Sequence, residues 1–240
     1  MEIVDKALIA LNDPNVLNFA SYSSQEDVAQ KSIQQMEVAK YLNHAIQKKK
    51  LRLGYQPIIK VATGKVDHYE CLLRVVGDDG QISSAGVLIP IAEKMGMIHM
   101  IDQLVLDMVV QELKMSPDVQ LAFNISNLTT SDTDWLNTFT DIIGRNQEIA
   151  NRMLVEITET AAHRDLRVTA YFTAALQALG CKIALDDFGS GYTSFRQLKG
   201  LSLDVVKIDG AFVKDLVDNS DNRFFVKTLL DFTNAFGLET

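Results

Sequence analysis

The sequence predicts an α/β protein, a parallel (β/α)8 barrel of the TIM type preceded by a leader helix. Apolar strand-like runs alternate with longer amphipathic segments, the pattern of βαβ units that build a parallel sheet. Nearly every run ends in a polar residue, and the carboxyl ends of barrel strands meet on one face. The alternative is an open doubly wound sheet. It is disfavoured because no Gly-x-Gly-x-x-Gly turn follows the first strand.

Residues 1–45 are predicted to form a connector and a leader helix, and residues 46–240 the barrel domain. An Asn-Asp-Pro turn is predicted at 12–14. A Ser-x-x-Asp pattern at 24–27 indicates the start of the helix, whose apolar residues share one face. Three lysines at 48–50 close it, where cations favour the helix dipole. We assign this helix a coupling or dimerisation role.

Six strands and three long helices are predicted beyond residue 50. The strand candidates are LRLGYQPII (51–59), DHYECLLRV (67–75), QLAFNIS (120–126), MLVEIT (153–158), KIALDDF (182–188) and DVVKID (204–209). The helices are predicted at 101–114, 165–180 and 222–237, where apolar residues recur at helical spacing. Strands and helices in this order favour parallel packing.

Composition excludes several classes of function. The chain of 240 residues is 47% hydrophobic, enough for one sizeable core, and its formal net charge is −8. Negative charge disfavours DNA or RNA polymers and anionic membranes as partners, although a small anion could bind through metal ions. No apolar run is long enough to span a membrane. Cys71 and Cys181 are far apart and suit buried positions in a reduced compartment, so we expect a soluble, cytoplasmic protein.

The polar residues at successive strand ends indicate a metal site. They are four carboxylates and one amide: Glu70, Asn124, Glu156, Asp186 and Asp187. Adjacent carboxylates such as Asp186 and Asp187 repel each other at the end of a buried strand unless cations or donors compensate them. Oxygen ligands suit Mg2+ or Mn2+, whereas zinc usually recruits Cys or His, and the four histidines show no ligand spacing. The adjacent acids could each serve one ion, which predicts two ions.

Lys207 and Arg74 complete a candidate site for phosphodiester hydrolysis. Two metal ions about 4 Å apart would activate a water and stabilise the leaving oxygen. Lys207 would orient that water or neutralise charge on phosphorus, and Arg74 could form a forked contact with a phosphate oxygen. The structural alternatives are a helix-entry turn at Asp186 and Asp187, and a buried counter-ion role for Lys207. Glu159 either braces the Asp187 loop or binds metal.

Six ordered motifs resemble those of the EAL domain family, bacterial phosphodiesterases that hydrolyse cyclic di-GMP. The motifs are YQPII (55–59), ECLLR (70–74), FNIS (123–126), VEITE (155–159), LDDFGSGYTS (185–194) and VVKID (205–209). Together they cover about residues 45–240. The resemblance implies a (β/α)8 barrel and, as the product, the linear dinucleotide pGpG.

The resemblance also implies a role for each matching residue. The residues that would hold the first metal ion are Glu70, Asn124, Glu156 and Asp186. The residues that would help to seat the dinucleotide are Gln56 and Arg74. Asp187 would help to hold the second ion, and Lys207, catalytic together with Glu70, would contact the attacking water. Glu159 would steady the loop at 188–194.

The chain departs from the family pattern at three places. Cys71 replaces the alanine of Glu-Ala-Leu, and Ser190 replaces a threonine of the loop, both mild changes. The sequence stops at FGLET, where the family would enter a seventh strand with a metal-site glutamate. The resemblance therefore predicts a barrel incomplete at the C-terminus, which lacks the last two strands and has open sheet edges. Either the chain is a shortened form of a longer protein, or a partner chain completes the sheet. Glu239 precedes the expected pattern and is not treated as a substitute.

The sequence predicts a phosphodiesterase, dependent on Mg2+ or Mn2+, that hydrolyses cyclic di-GMP to pGpG in bacterial second-messenger signalling. Two alternatives stay open. A catalytically impaired module of the same family would bind cyclic di-GMP or a protein partner without turnover. A six-stranded part of a barrel could also fail to fold stably alone. A homodimer through the barrel or the leader helix is compatible with both the enzyme and the binding module.

Overall fold

The computed structural model of the chain describes residues 25–189 and 195–240. Three details of the sequence prediction lie outside the described residues. They are the turn at 12–14, the helix start at Ser24 and the loop residue Ser190.

The described chain divides into two compact units, of which the first ends at Lys49 and the second is Lys50–Thr240. Helix α1 of the first unit spans Gln25–Gln47. It ends because Lys49 takes a left-handed backbone conformation with φ 52°, after the N–H groups of Lys48 and Lys49 donate to carbonyls of the last turn. The domain boundary expected at residue 45 stays a prediction.

The sheet of the second unit starts with an antiparallel hairpin rather than a βαβ unit. Strands β1 (Leu51–Lys60) and β2 (Lys65–Val76) are joined by residues 61–64, a connection too short for a helix. Gly64 closes the turn at φ 66°, a conformation that glycine adopts without steric cost, and its N–H donates to the Lys60 carbonyl. Strand β1 therefore departs from the parallel order that the sequence predicts.

From β2 onward the main strands run parallel. They are β4 (Leu121–Asn124), β5 (Met153–Thr158), β6 (Lys182–Phe188) and β7 (Val205–Ile208), while the short β3 (Ile82–Ser84) pairs antiparallel with β2. The order in the sheet is β1-β2-β4-β5-β6-β7. The fold is thus an incomplete α/β barrel with an N-terminal leader helix, as the sequence predicts.

Helices occupy the connections between the parallel strands. They are α2 (Ile89–Lys94), α3 (Ile98–Met115), α4 (Thr133–Gly144), α5 (Gln147–Ala150), α6 (Glu159–Arg164), α7 (Leu166–Ala178), α8 (Phe195–Leu198), α9 (Gly210–Lys214) and α10 (Ser220–Ala235), with a 3-10 turn at Thr129–Ser131. The three long helices predicted from periodicity are α3, α7 and α10. Asp132, Asp165 and Asn219 accept first-turn N–H groups and so start α4, α7 and α10. No described helix combines the length and hydropathy needed to cross a bilayer.

The barrel interior is built in layers, and an apolar layer lies directly before the polar strand ends. Ala122, Leu154 and Ala184 form a buried cluster against which Val205 packs. Side chains two positions apart on a strand share a face. The next layer on these four strands is therefore made of Asn124, Glu156, Asp186 and Lys207. Strand periodicity thus brings these polar groups to the face of the apolar layer, two residues further along each strand.

The last residues of the chain lie beside β7. Glu239 pairs in parallel register with Val205, and its N–H donates to the Asp204 carbonyl at 2.9 Å. Its own carbonyl accepts the Val206 N–H, also at 2.9 Å. In this register Glu239 stands one level below Lys207, so its backbone extends the sheet at the level of the apolar layer rather than at that of the polar strand ends.

Candidate metal centre

Three carboxylates from three strands converge at the carboxyl end of the barrel. Glu70 on β2, Glu156 on β5 and Asp186 on β6 each offer an oxygen, and these oxygens lie within 4.8 Å of one another. The strand register explains the convergence. Glu70 pairs with Ala122 on β4, and Asn124 pairs with Glu156, so these side chains point to the same face.

The ammonium of Lys207 lies among the three carboxylates. Its Nζ is 2.8 Å from Glu156 Oε2, 3.3 Å from Asp186 Oδ2 and 3.4 Å from Glu70 Oε2. The Lys207 side chain is only 26% exposed. One partly buried cation thus faces three acids, and the cluster keeps an excess of negative charge.

Burial and mutual repulsion shift the pKa values of this cluster. Burial raises the pKa of Glu156 to about 7, while Lys207 opposes this shift and Glu70 reinforces it. Burial works against the charge on Lys207, but Glu156, Asp186 and Glu70 outweigh it and raise the pKa of the lysine above its usual range. Lys207 therefore stays charged at neutral pH, whereas the Glu156 carboxyl is protonated in a part of the molecules.

The oxygens of this cluster fit a hard divalent cation. Glu156 is fully buried, yet its Oε1 has no hydrogen-bond partner among the described residues. A buried carboxylate oxygen without a donor is costly, and a cation beside it would remove that cost. The neighbouring donors are carboxylate oxygens, which Mg2+, Mn2+ and Ca2+ prefer and which zinc seldom uses without Cys or His. The acidic cluster could therefore hold a metal ion.

Asn124 and Asp187 border the cluster without belonging to the group of three carboxylates. Asn124 Nδ2 donates to Glu70 Oε1 at 3.1 Å, which ties the amide to the cluster. Asp187 is exposed, and its backbone N–H donates to Asp186 Oδ1 at 3.0 Å. Burial and then the charges of Asp186 and Asp209 raise the pKa of the Asp187 carboxyl. The two adjacent acids thus occupy different environments.

Two left-handed residues lie at the end of β6 and directly after it. Asp187 has φ 55° and Gly189 has φ 102°, and the register of β6 on β7 shifts between Leu185 and Phe188. The left-handed Asp187 breaks the alternation of side chains at the strand end. Glu159 Oε2 accepts the Gly189 N–H at 3.0 Å, and Glu159 is buried. This contact is the one expected if Glu159 braces the loop at 188–194, and it lies at the described end of that loop.

Gln56 and Arg74 share the face of Glu70 on the β1–β2 hairpin. Gln56 stands opposite Glu70 in the antiparallel register, and Arg74 follows Glu70 by four residues on β2. Gln56 is exposed, and Arg74 is half-buried with its Nη1 donating to the Leu73 carbonyl at 3.2 Å. Both side chains are therefore at the rim, outside the acidic cluster.

A cavity of about 340 Å³ adjoins the cluster and brings in residues that the sequence reasoning missed. Arg74 and Asn124 line it together with Glu93, Asp102 and Ser126. Ser126 Oγ donates to Glu93 Oε1 at 2.6 Å, and its N–H donates to Asp102 Oδ2 at 3.0 Å. These bonds fix the turn that follows Asn124. The sequence contained a signal for Asp102, because it is a charged residue among the apolar residues of the buried face of α3.

Asp102 is expected to make protein stability depend on pH. Burial raises its pKa from 3.8 to about 6, so between these values the folded protein holds a proton that the unfolded chain releases. The free energy of unfolding should therefore fall as pH rises from about 4 to about 6, by on the order of 2–3 kcal/mol. Asp102→Asn keeps an acceptor for Ser126 and removes the titration. Urea unfolding at pH 4 and pH 7 should show a smaller difference in this variant than in the wild type; equal differences would contradict the assignment.

The fold and the site define a TIM-like α/β barrel with a candidate metal centre at the carboxyl ends of its strands. The chain belongs to the EAL domain family, whose model matches residues 39–240.

Two curated relatives illustrate the similarity. The chain is 28% identical over 211 residues to the bifunctional diguanylate cyclase/cyclic di-GMP phosphodiesterase MucR of Pseudomonas aeruginosa, covering 86% of this chain and 31% of the relative. It is 31% identical over 183 residues to the cyclic di-GMP phosphodiesterase PdeF of Escherichia coli, covering 75% of this chain and 24% of the relative. The chain thus spans a third or less of each of these relatives.

Two solved structures share the fold. The MucR phosphodiesterase in complex with c-di-GMP superposes with a TM-score of 0.78 at 28% identity, covering 84% of each chain. The FimX EAL domain from Pseudomonas aeruginosa bound to c-di-GMP gives a TM-score of 0.75 at 25% identity, covering 84% of this chain and 82% of the other. Both of these structures hold c-di-GMP, and the chain shares their fold.

Proposed function

We propose that this chain is a metal-dependent phosphodiesterase that hydrolyses cyclic di-GMP to linear pGpG in bacterial second-messenger signalling. The observation that carries the proposal is the convergence of Glu70, Glu156 and Asp186 around Lys207, in a chain of the EAL family. Relatives that are named as cyclic di-GMP phosphodiesterases support the choice of substrate.

The residues proposed to hold the first ion are Glu70, Asn124, Glu156 and Asp186, and Asp187 helps to hold the second. Mg2+ or Mn2+ suits these oxygen donors. Bound ions would supply a more acidic water and neutralise charge on the phosphate. Glu156 Oε1, which has no hydrogen-bond partner in the described part of the chain, is the feature of the cluster that most directly favours a cation.

The protein side chains bind, orient and neutralise. Lys207 donates through its ammonium to the attacking water and lies close enough to Glu70 and Asp186 to keep those carboxylates in place. Arg74 and Gln56, at the rim, hold the dinucleotide through its phosphate oxygens and polar edges. Glu159 keeps the Gly189 turn closed and so holds Asp187 in its left-handed conformation.

The reaction breaks one phosphodiester bond. The water oxygen bonds to phosphorus, and the bond from phosphorus to the 3′ oxygen breaks. One proton of the water ends on the 3′ hydroxyl, and the new 5′ phosphate stays on the linear product. In-line attack needs the water held opposite the leaving oxygen, which is the proposed task of Lys207.

The protein is proposed to act in the cytoplasm. Cys71 and Cys181 are buried free thiols, and burial raises the pKa of each to about 12, so both stay protonated and unreactive. Unpaired thiols in such positions suit a reducing compartment. A homodimer through the barrel or the leader helix stays a prediction.

The test is hydrolysis of cyclic di-GMP by the 240-residue chain with Mg2+ and with Mn2+, followed by chromatography of pGpG. We expect product that disappears with a chelator and in the Asp187→Asn variant, because this substitution removes a carboxylate from the proposed second ion. Isothermal titration calorimetry with cyclic di-GMP should be run beside it. Binding of cyclic di-GMP without formation of pGpG would contradict the enzymatic assignment and would place the chain among non-hydrolysing binding modules.

A further inference from the structure

We propose that Phe212 and Phe225 are positioning residues, a stacked pair that holds the turn after β6 and thereby keeps Asp187 at the metal centre. The catalytic consequence rests on the proposed function, whereas the structural consequence does not. Neither residue belongs to a sequence motif that points to chemistry.

The two rings fill the space in which a side chain at position 189 would lie. Their centroids are 4.2 Å apart and their planes 26° apart, so they are stacked. A Cβ added to Gly189 would come within 2.8 Å of Phe212 Cε2 and 2.9 Å of Phe225 Cζ. Two observations explain the glycine at this position: its left-handed φ of 102°, and the rings that occupy the space a Cβ would need.

Phe212 is tied to the strand end that it supports. The Asp209 N–H donates to the Phe188 carbonyl at 3.1 Å, and Phe212 N–H donates to the Asp209 carbonyl at 3.0 Å. Asp209 also caps α9 by accepting the Ala211 N–H at 2.7 Å. Two successive hydrogen bonds therefore fix the start of α9 relative to the end of β6, and the ring of Phe212 lies over Gly189.

Phe225 comes from a different helix and closes the stack. It lies on α10, which packs on α9, and it is partly buried, whereas its neighbour Phe224 is 75% exposed. Gly189 is thus held by the aromatic pair and by the Glu159 carboxylate that accepts its N–H. Asp187 lies two residues earlier, at the end of β6.

Removing the Phe225 ring should loosen the turn without removing any hydrogen bond. The ring leaves a space beside Gly189 that neighbouring atoms fill only in part, because packed interiors relax incompletely around a deletion. The turn then gains freedom, and the Asp187 carboxylate spends less time in the geometry that a second ion needs. Groups hydrogen-bonded to a metal ligand typically change metal affinity by about 10–100-fold, and we expect the lower end of this range for Phe225, which acts on Asp187 through the turn.

The experiment compares Phe225→Ala with Phe224→Ala, an adjacent phenylalanine on the same helix. Amide hydrogen exchange at Gly189, Mn2+ affinity by calorimetry and the free energy of unfolding are measured on the full chain. We expect Phe225→Ala to exchange the Gly189 amide about tenfold faster than Phe224→Ala and to bind Mn2+ about tenfold more weakly. If Phe225 only stabilised the fold, Phe225→Ala would lower the free energy of unfolding. The Gly189 exchange rate and the Mn2+ affinity would then change no more than this loss of stability explains.

Equal Gly189 exchange and equal Mn2+ affinity in two folded variants would overturn the proposal. If Phe225→Ala does not fold, Phe225→Leu retains an apolar side chain but removes the stacked ring. We then expect a smaller increase in exchange, about threefold, and no increase would again overturn the inference. Hydrolysis is measured separately. A chain that never produces pGpG would refute the proposed function, whereas the exchange of the Gly189 amide would still test the positioning role.

Discussion

Replacing Glu156 with glutamine is expected to reduce hydrolysis of cyclic di-GMP by at least about 100-fold, the usual cost of losing one strong electrostatic contact in a buried site. Glu156 is fully buried, carries the partnerless Oε1 and lies 2.8 Å from the Lys207 ammonium. Glutamine keeps the volume and one acceptor but removes the negative charge that favours a divalent cation. Initial rates of pGpG formation over a range of Mn2+ concentrations measure the effect.

The same substitution should not weaken the fold when metal is chelated at pH 8. Burial raises the pKa of Glu156 from 4.5 to about 7, so between these values the folded protein holds a proton that the unfolded chain has lost. The free energy of unfolding of the wild type therefore falls as pH rises through this window. Glutamine does not titrate. The free energy of unfolding of the variant should therefore lack the decrease that Glu156 causes between these pH values.

Glu239→Gln is the matched control for Glu156→Gln. Glu239 is exposed and pairs with Val205, one level below Lys207. The control should keep the activity and Mn2+ dependence of the wild type. Loss of activity in Glu156→Gln together with collapse of its urea transition would mean that the acid supports the fold, and the metal interpretation would then have to be given up.

Much of the barrel could be predicted because its strands obey simple periodicity. Buried parallel strands are continuous apolar runs, and those on β5 and β6 ended where the sequence predicted. The antiparallel pairing of β1 with β2 was not predicted. The alternation of strands and helices elsewhere in the sequence does not reveal that these two strands are joined by only four residues, 61–64. Helix α4 was not predicted individually, although Asp132 caps it and its buried residues Trp135, Phe139 and Ile143 recur at helical spacing.

The candidate site could be predicted for the same reason. Polar groups that follow apolar runs on neighbouring parallel strands gather at the carboxyl ends of those strands, and the carboxylates of Glu70, Glu156 and Asp186 converge there. The sequence could not show that Asp187 has φ 55°, because a left-handed residue depends on the contacts around Gly189 and not on local letters. Nor could it show the Asp102 and Ser126 contact, which joins segments 24 residues apart.

Replacing Lys207 with methionine is expected to destabilise the chain by about 3 kcal/mol at pH 8 in the presence of a chelator, because three acids then lose their partly buried counter-ion. The pKa of Lys207 is raised, so the lysine is charged in folded and unfolded chains throughout pH 5–8. Any change of the effect within that range therefore comes from the carboxylates. At pH 5 Glu156 is mostly protonated, since its pKa is about 7, and the loss should be smaller.

Mn2+ distinguishes the two roles open to Lys207. As a counter-ion alone, the lysine could be replaced by metal, so added Mn2+ would restore both stability and turnover of Lys207→Met. In the proposed role, Mn2+ restores stability through binding to the folded state but leaves turnover at least about 100-fold low, because no ammonium orients the attacking water. Lys182→Met, an exposed position at the start of the same strand as Asp186, controls for the loss of a lysine and should change stability by less than about 0.5 kcal/mol. Full recovery of turnover with Mn2+ would exclude a catalytic contact and leave Lys207 as a structural cation.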